Sequence, residues 1–238
     1  MPVTCLNCNA VYEGKYCPEC GQKAKTARIT FATILHDIPH SIFHLDKGVL
    51  YTLGQLTYRP GKAVKEYLEG KRVNHFLPFA YLFLLSAITA FIEHLDIESA
   101  HLTIIIRRPD GVYPQLAQFF TKYPALMFCL LIPVISLWSW LFNLESKYNY
   151  WENFILNTYL IAQFNLFFVI AEIAAIIFHF VSMTPMLLIF FTYFAFAYSQ
   201  FFPRVFSLVG LIKKAVLFVM IVITVLTSLS FTGFMTKW

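Results

Sequence analysis

Charge is what this sequence has least of. Of 238 residues, 18 are Lys or Arg and 13 are Asp or Glu, about half the charged share of an ordinary soluble domain, which is ~25%. That scarcity excludes a soluble globular enzyme, a disordered chain and a nucleic-acid-binding module built on charge. No GxSxG elbow, P-loop or HExxH sequence occurs anywhere in the chain, so no catalytic machinery of those kinds is indicated. The alternating pattern of a membrane barrel is also missing, which leaves helices as the elements able to satisfy their own backbone in lipid. The start, Met1-Pro2-Val3-Thr4-Cys5, has no apolar run. A cleavable signal peptide is therefore not expected, and the first span would act as an uncleaved anchor.

Apolar residues make up 58% of the chain, with 26 Phe, 13 Tyr and 4 Trp. The polar remainder is uneven: residues 1–74 hold 10 Lys/Arg and 6 Asp/Glu, whereas residues 75–238 hold only 8 and 7. A polar head thus precedes a greasy body. Five stretches approach or exceed the ~20 residues that cross a bilayer core: 75–92, 124–142, 154–180, 185–202 and 215–234. The expected fold is an all-α polytopic membrane protein. Its parts would be a zinc ribbon over 1–27, amphipathic cytoplasmic or interfacial helices over 28–74, and a transmembrane bundle over 75–238. With the N-terminus in the cytoplasm, inside segments carry 14 Lys/Arg and outside segments 4. The positive-inside rule then favours an N-in, C-out orientation. Trp138, Trp140, Tyr148, Tyr150 and Trp151 stand where an interfacial aromatic belt belongs.

Four of the five cysteines fall within 16 residues as two CxxC knuckles, Cys5/Cys8 and Cys17/Cys20. Each knuckle can supply two corners of a tetrahedral thiolate site, with a turn at Gly14 bringing the pairs together and 9–16 forming a minimal hairpin. A head this small cannot bury a core, so structural Zn2+ is the expected organiser, on the order of 10–16 kcal/mol of apparent folding free energy. Two disulfides are disfavoured in a reducing compartment. Cys129, inside a span, reads as a small packing residue.

Beyond the head, His36, His40 and His44 recur at i, i+4, i+8 opposite an apolar face of Phe31, Leu35, Ile38, Ile42 and Leu45. Such a ladder could be a second metal or proton site, or simply a solvated face kinked at Pro39. Arg59, Lys62, Lys65, Lys71 and Arg72 lie just ahead of the first span, where bases contact lipid headgroups or another anion. Within the third span, Asn165, Glu172 and His179 are spaced by seven and share a face with Thr158. An ionisable residue in that setting is either a polar pathway or a hydrogen-bonding link between helices. The acidic and histidine run from Glu93 to His101 could hold a divalent cation but reads more simply as a solvated helix end.

Three strings stand out: the two knuckles; Leu35-His36-Asp37-Ile38-Pro39-His40-Ser41-Ile42-Phe43-His44-Leu45-Asp46-Lys47-Gly48; and Arg59-Pro60-Gly61-Lys62-Ala63-Val64-Lys65-Glu66-Tyr67-Leu68-Glu69-Gly70-Lys71-Arg72 ahead of Pro78-Phe79-Ala80-Tyr81-Leu82. Together they resemble an uncharacterised bacterial family of small multi-span membrane proteins, known only as a domain of unknown function. The resemblance spans about residues 5–92 and implies an inner-membrane protein with a zinc-ribbon head, bringing neither catalytic residues nor a substrate.

The expected function is therefore a non-catalytic membrane adaptor or assembly subunit whose ribbon recruits a partner. The alternative is a small transporter or lipid-handling protein using the stripe around Glu172. An enzyme working through the histidines has no convincing base or nucleophile. Expected partners are the bilayer and a protein partner or second copy, with no nucleic acid.

Overall fold

The computed structural model describes residues 2–24, 26, 28–35, 48–96, 124–178 and 183–202. It is mostly helical, with a small N-terminal cap. The cap holds the two-residue strands β1 (Val3–Thr4) and β2 (Val11–Tyr12), paired antiparallel with Val3 opposite Tyr12 and Thr4 opposite Val11. A single helical turn, α1, covers 31–35. The longer helices are α2 (Val49–Tyr58), α3 (Pro60–Leu68), α4 (Pro78–Asp96), α5 (Pro124–Phe142), α6 (Tyr150–Phe178) and α7 (Met183–Phe201).

Helix α6 is the axis. Its 29 residues extend about 43 Å, and every other long helix packs against it. Its start lies four residues earlier than the apolar run suggests, because Asn149-Tyr150-Trp151-Glu152 forms a capping box. The Glu152 N–H donates to Asn149 Oδ1 at 2.8 Å, and the Asn149 N–H donates back to Glu152 Oε2 at 2.7 Å. Neighbouring contacts fix the directions. Phe79 meets Phe154 and Ser86 meets Asn165, so α4 runs parallel to α6. Ser139 meets Asn153 and Ser136 meets Asn157, so α5 is antiparallel. Tyr198 meets Asn157 and Phe190 meets Phe164, so α7 is antiparallel too.

Helices α2 and α3 form a hairpin that reaches into this bundle. Pro60 occupies the first turn of α3, where its missing N–H is harmless. Thr57 Oγ1, near the hairpin tip, accepts from Gln163 Nε2 at 3.0 Å, and the Tyr193 hydroxyl donates to the Leu56 carbonyl at 3.0 Å. Gly61 lies directly on α7: a Cβ there would stand 2.1 Å from the Ala197 carbonyl oxygen. Leu56, Ala63, Val64 and Tyr67 consequently share one buried core with Tyr81, Ile135, Tyr159 and Phe194.

The expectation of five spans is not supported. Among the described residues one helical stretch, Tyr150–Ala171, is long and apolar enough to cross a bilayer, and two-thirds of its most apolar window is buried by its neighbours. The apolar stretches Pro78–Ile92, Leu130–Phe142 and Leu188–Phe201 are shorter. Each of these lies within a 19-residue helix, α4, α5 or α7. The span expected at 215–234 lies outside the described residues.

Candidate metal centre

The cap is built from one motif used twice, twelve residues apart. Around the first knuckle the Cys5 N–H donates to the Ala10 carbonyl and the Asn9 N–H to the Cys5 carbonyl. Around the second, the Cys17 N–H donates to the Gln22 carbonyl and the Gly21 N–H to the Cys17 carbonyl. The residue just before each first cysteine bridges across the turn: Thr4 to Val11, and Tyr16 to Lys23. Asn9 (φ 62°) and Gly21 (φ 75°) hold the equivalent left-handed position that closes each loop, a conformation asparagine and glycine tolerate best. The hairpin thus encloses each knuckle. Cysteine spacing predicts it between the knuckles, over 9–16.

This repeat brings four sulfurs together. Cys5 Sγ lies 3.5 Å from Cys20 Sγ, and Cys8 Sγ lies 3.5 Å from Cys17 Sγ, each pair crossing between knuckles. All four lie within 4.8 Å of one another. Zinc–sulfur bonds of ~2.3 Å give a tetrahedron with edges of about 3.8 Å, so the four thiols fit a closed, four-coordinate metal site. The Asn7 N–H points at Cys5 Sγ, 3.4 Å away, as a donor supporting a thiolate. The backbone N–H of Cys8 is the largest influence holding the Cys5 thiol down to about 6. Although the Ala10 N–H pulls Cys8 the same way, partial desolvation and the neighbouring sulfurs push that thiol up to about 12. A metal ion bound among them would hold all four as thiolates. Cys5 and Cys17 are buried with Tyr12. Among the described residues no His, Asp or Glu joins the four cysteines, a donor set that suits a closed four-coordinate site.

The cap is seated on the helices. Gln22 is buried, and its Oε1 accepts from the Arg72 N–H at 3.2 Å. Gly70, at φ 110°, ends the α3 turn so closely under the cap that an added Cβ would stand 2.6 Å from Leu6 Cδ1 and 3.0 Å from Thr26 Oγ1. Further along, Arg28 clamps the start of α6. Its Nε and Nη2 reach the two Glu152 oxygens at 2.9 and 3.0 Å, and Nη2 also donates to the Lys147 carbonyl at 2.6 Å. The Glu152 carboxylate raises the Arg28 guanidinium above its ordinary value. Lys147 Nζ in turn meets Glu69 Oε1 at 2.8 Å. Head, α3 and the 143–149 turn therefore gather at one end.

The basic residues ahead of α4 are distributed among several tasks. Arg59 is bidentate to Glu66 at 2.9 and 3.1 Å and also donates to Gln55 Oε1. Arg72 lies over the Tyr67 ring, and Lys65 stands 6.0 Å from the Phe201 ring centroid. Lys62 and Lys71 are exposed. His36, His40 and His44 lie outside the described residues, as do His179 and the side chain of Glu172. Asn165 is buried, with Nδ2 donating to Ser86 Oγ at 3.1 Å and Oδ1 without a partner among the described residues. Thr158 turns its hydroxyl onto the Phe154 carbonyl.

A second polar group on α6 was not anticipated. Asn153, Asn157 and Gln163 are fully buried alongside Asn165. Asn153 accepts from Ser139, Asn157 donates to Ser136 and accepts from the Tyr198 hydroxyl at 2.6 Å, and Gln163 links Tyr81 to Thr57. Four amides within thirteen residues of an otherwise apolar helix was the signal available in the sequence.

A family described as "Protein of unknown function (DUF3667)" matches residues 46–90, which cover α2, α3 and most of α4 and leave the four cysteines outside. No curated protein and no solved structure matches this chain.

Proposed function

We propose that this chain is an inner-membrane adaptor, N-terminus cytoplasmic, whose helices sit in the bilayer and whose zinc-held ribbon presents a recognition edge to a protein partner. The observation that carries the membrane reading is an inside-out distribution of polarity. On α5, Leu130, Val134, Leu137 and Leu141 recur at i, i+4, i+7, i+11 and are exposed, while Ser136 and Ser139 are fully buried. The same inversion holds on α6, where the amides face inward and Ile170 and Ile173 outward. Phe83, Ile88 and Phe91 of α4 and Leu188, Ile189 and Phe196 of α7 extend the exposed apolar surface. Water disfavours such stripes, whereas lipid accepts them and rewards hydrogen bonding between helices. The gathering of Arg28, Lys71, Arg72 and Lys147 at the head's end supports an N-in placement.

The adaptor role rests on the cap. Its donor set is closed, and Val11 and Tyr16 remain exposed while the Leu6 and Gln22 side is turned to α3. A photo-crosslinking residue placed at Val11 or Tyr16 in the membrane-inserted chain is expected to capture a discrete partner. That adduct should vanish in Cys8→Ser, which loses zinc. A carbonate-resistant, zinc-loaded protein that gives no adduct from either position would overturn the adaptor reading. A soluble, monodisperse chain without detergent would overturn the membrane reading.

One observation favours the second reading, transport or lipid handling along Asn165, Glu172 and His179: the buried Asn165 Oδ1 has no partner among the described residues. Glu172→Gln abolishing a phenotype while Val11→Glu leaves it intact would favour that role.

A further inference from the structure

We infer that the metal holds the ribbon onto the C-terminal turn of α3, so that the metal state of the four cysteines is read by the helical hairpin 48–72. This rests on the metal reading above. Two of the contacts that seat the cap, those of Leu6 and Gln22, come from the metal-binding loops themselves, while Thr26 of the linker also stands over Gly70. Leu6 stands between ligands Cys5 and Cys8, and its Cδ1 fills the space over Gly70 that a Cβ would occupy. Gln22 follows Cys20-Gly21; its carbonyl closes the second knuckle by accepting from Cys17, while its side chain accepts from the Arg72 N–H. One residue therefore belongs to both the metal loop and the seat.

The receiving surface is shaped for this contact. Gly70 adopts a φ of 110° that L side chains rarely adopt. The Arg72 N–H lies one residue beyond the bond that caps α3, from the Lys71 N–H to the Glu66 carbonyl, and takes its partner Gln22 from the ribbon. From this turn α3 runs back along α7 through Gly61. A cap of this size loses its fold without metal, and the Leu6 and Gln22 contacts go with it. Arg28, outside the knuckles, keeps its grip on Glu152, so the linker stays tethered while the cap is released.

Adjacent amides provide the test. Hydrogen exchange resolved to single residues is measured on the full chain in detergent, before and after zinc is withdrawn with a chelator and a thiol-binding mercurial. Exchange at the Arg72 N–H should rise at least tenfold on zinc removal, whereas the Lys71 N–H, bonded back to α3, changes less than twofold. Gln22→Ala should retain one zinc per chain and still raise Arg72 exchange severalfold. Leu6→Ser, equally zinc-loaded, should loosen the same turn. If zinc leaves and Arg72 exchange stays the same, the seat is independent of metal and the inference fails while the metal reading stands. If the purified chain binds no zinc, both fail.

Discussion

The ion pair between Arg28 and Glu152 offers the sharpest quantitative test of how the head is joined to the helices. Glu152 is only 5% exposed and does three things with one carboxylate: it receives both Arg28 nitrogens, caps the Asn149 N–H, and lies in the first turn of α6, where negative charge is favoured by the helix dipole. Losing one partner of a fully buried pair costs about 3–5 kcal/mol, and exposed pairs contribute about 0–1 kcal/mol. The Arg28 side chain is 60% exposed, which places this pair between those limits. The bidentate geometry argues for the upper half of the interval. A double-mutant cycle of Arg28→Met and Glu152→Gln is expected to give a coupling of about 1–2 kcal/mol, read from reversible denaturant unfolding in a mild detergent. Asn149→Ala, which removes the Oδ1 cap on the Glu152 N–H and the Nδ2 bond to the Ile29 carbonyl, should lose about 1–2 kcal/mol. A coupling below about 0.3 kcal/mol would refute the clamp as an energetic link and reduce it to proximity.

Three further outcomes follow from the packing. Gly61→Ala forces a methyl against the Ala197 carbonyl at 2.1 Å and should destabilise the α3–α7 contact by about 3 kcal/mol. Gly54→Ala, with nothing within 4 Å, should be neutral or stabilise by up to about 1 kcal/mol. Thermal unfolding of the two variants side by side decides this. Asn157→Leu leaves the buried Tyr198 hydroxyl without its acceptor and should cost about 2 kcal/mol, measured against Thr192→Val at an exposed hydroxyl on α7. His75, just ahead of α4, is held down to about 4, first by burial; Glu66 opposes the shift, and Arg59 and Lys71 reinforce it. Its folded value lies below the unfolded ~6.5, so the unfolded chain binds the extra proton between those limits. Stability should be flat above about pH 7 and fall by up to about 3 kcal/mol as pH drops from 6.5 toward 4. His75→Phe, retaining ring contacts to Tyr51 and Tyr67, should flatten that slope, and an unchanged slope would assign the effect to other groups.

The four-thiol cluster was legible from cysteine spacing alone, because two CxxC turns can each supply two corners of a tetrahedron. Pro60 and Gly70 mark the two ends of α3, since each favours a backbone conformation that depends on no distant residue. Apolar runs located α4 to α7 within a few residues, apart from the early start of α6 set by Asn149 and Glu152. What those runs could not determine is which side of each helix meets its neighbours: hydropathy along the chain is the same whether a leucine faces lipid or a core. Only the tertiary structure decided that the hairpin 48–72 wedges into the bundle, that Asn153, Asn157 and Gln163 hold its interior together, and that Arg28 finds Glu152 across 124 positions. Each of these depends on contacts between residues far apart in sequence, where chain closure and packing complementarity choose the partner and local pattern carries no information.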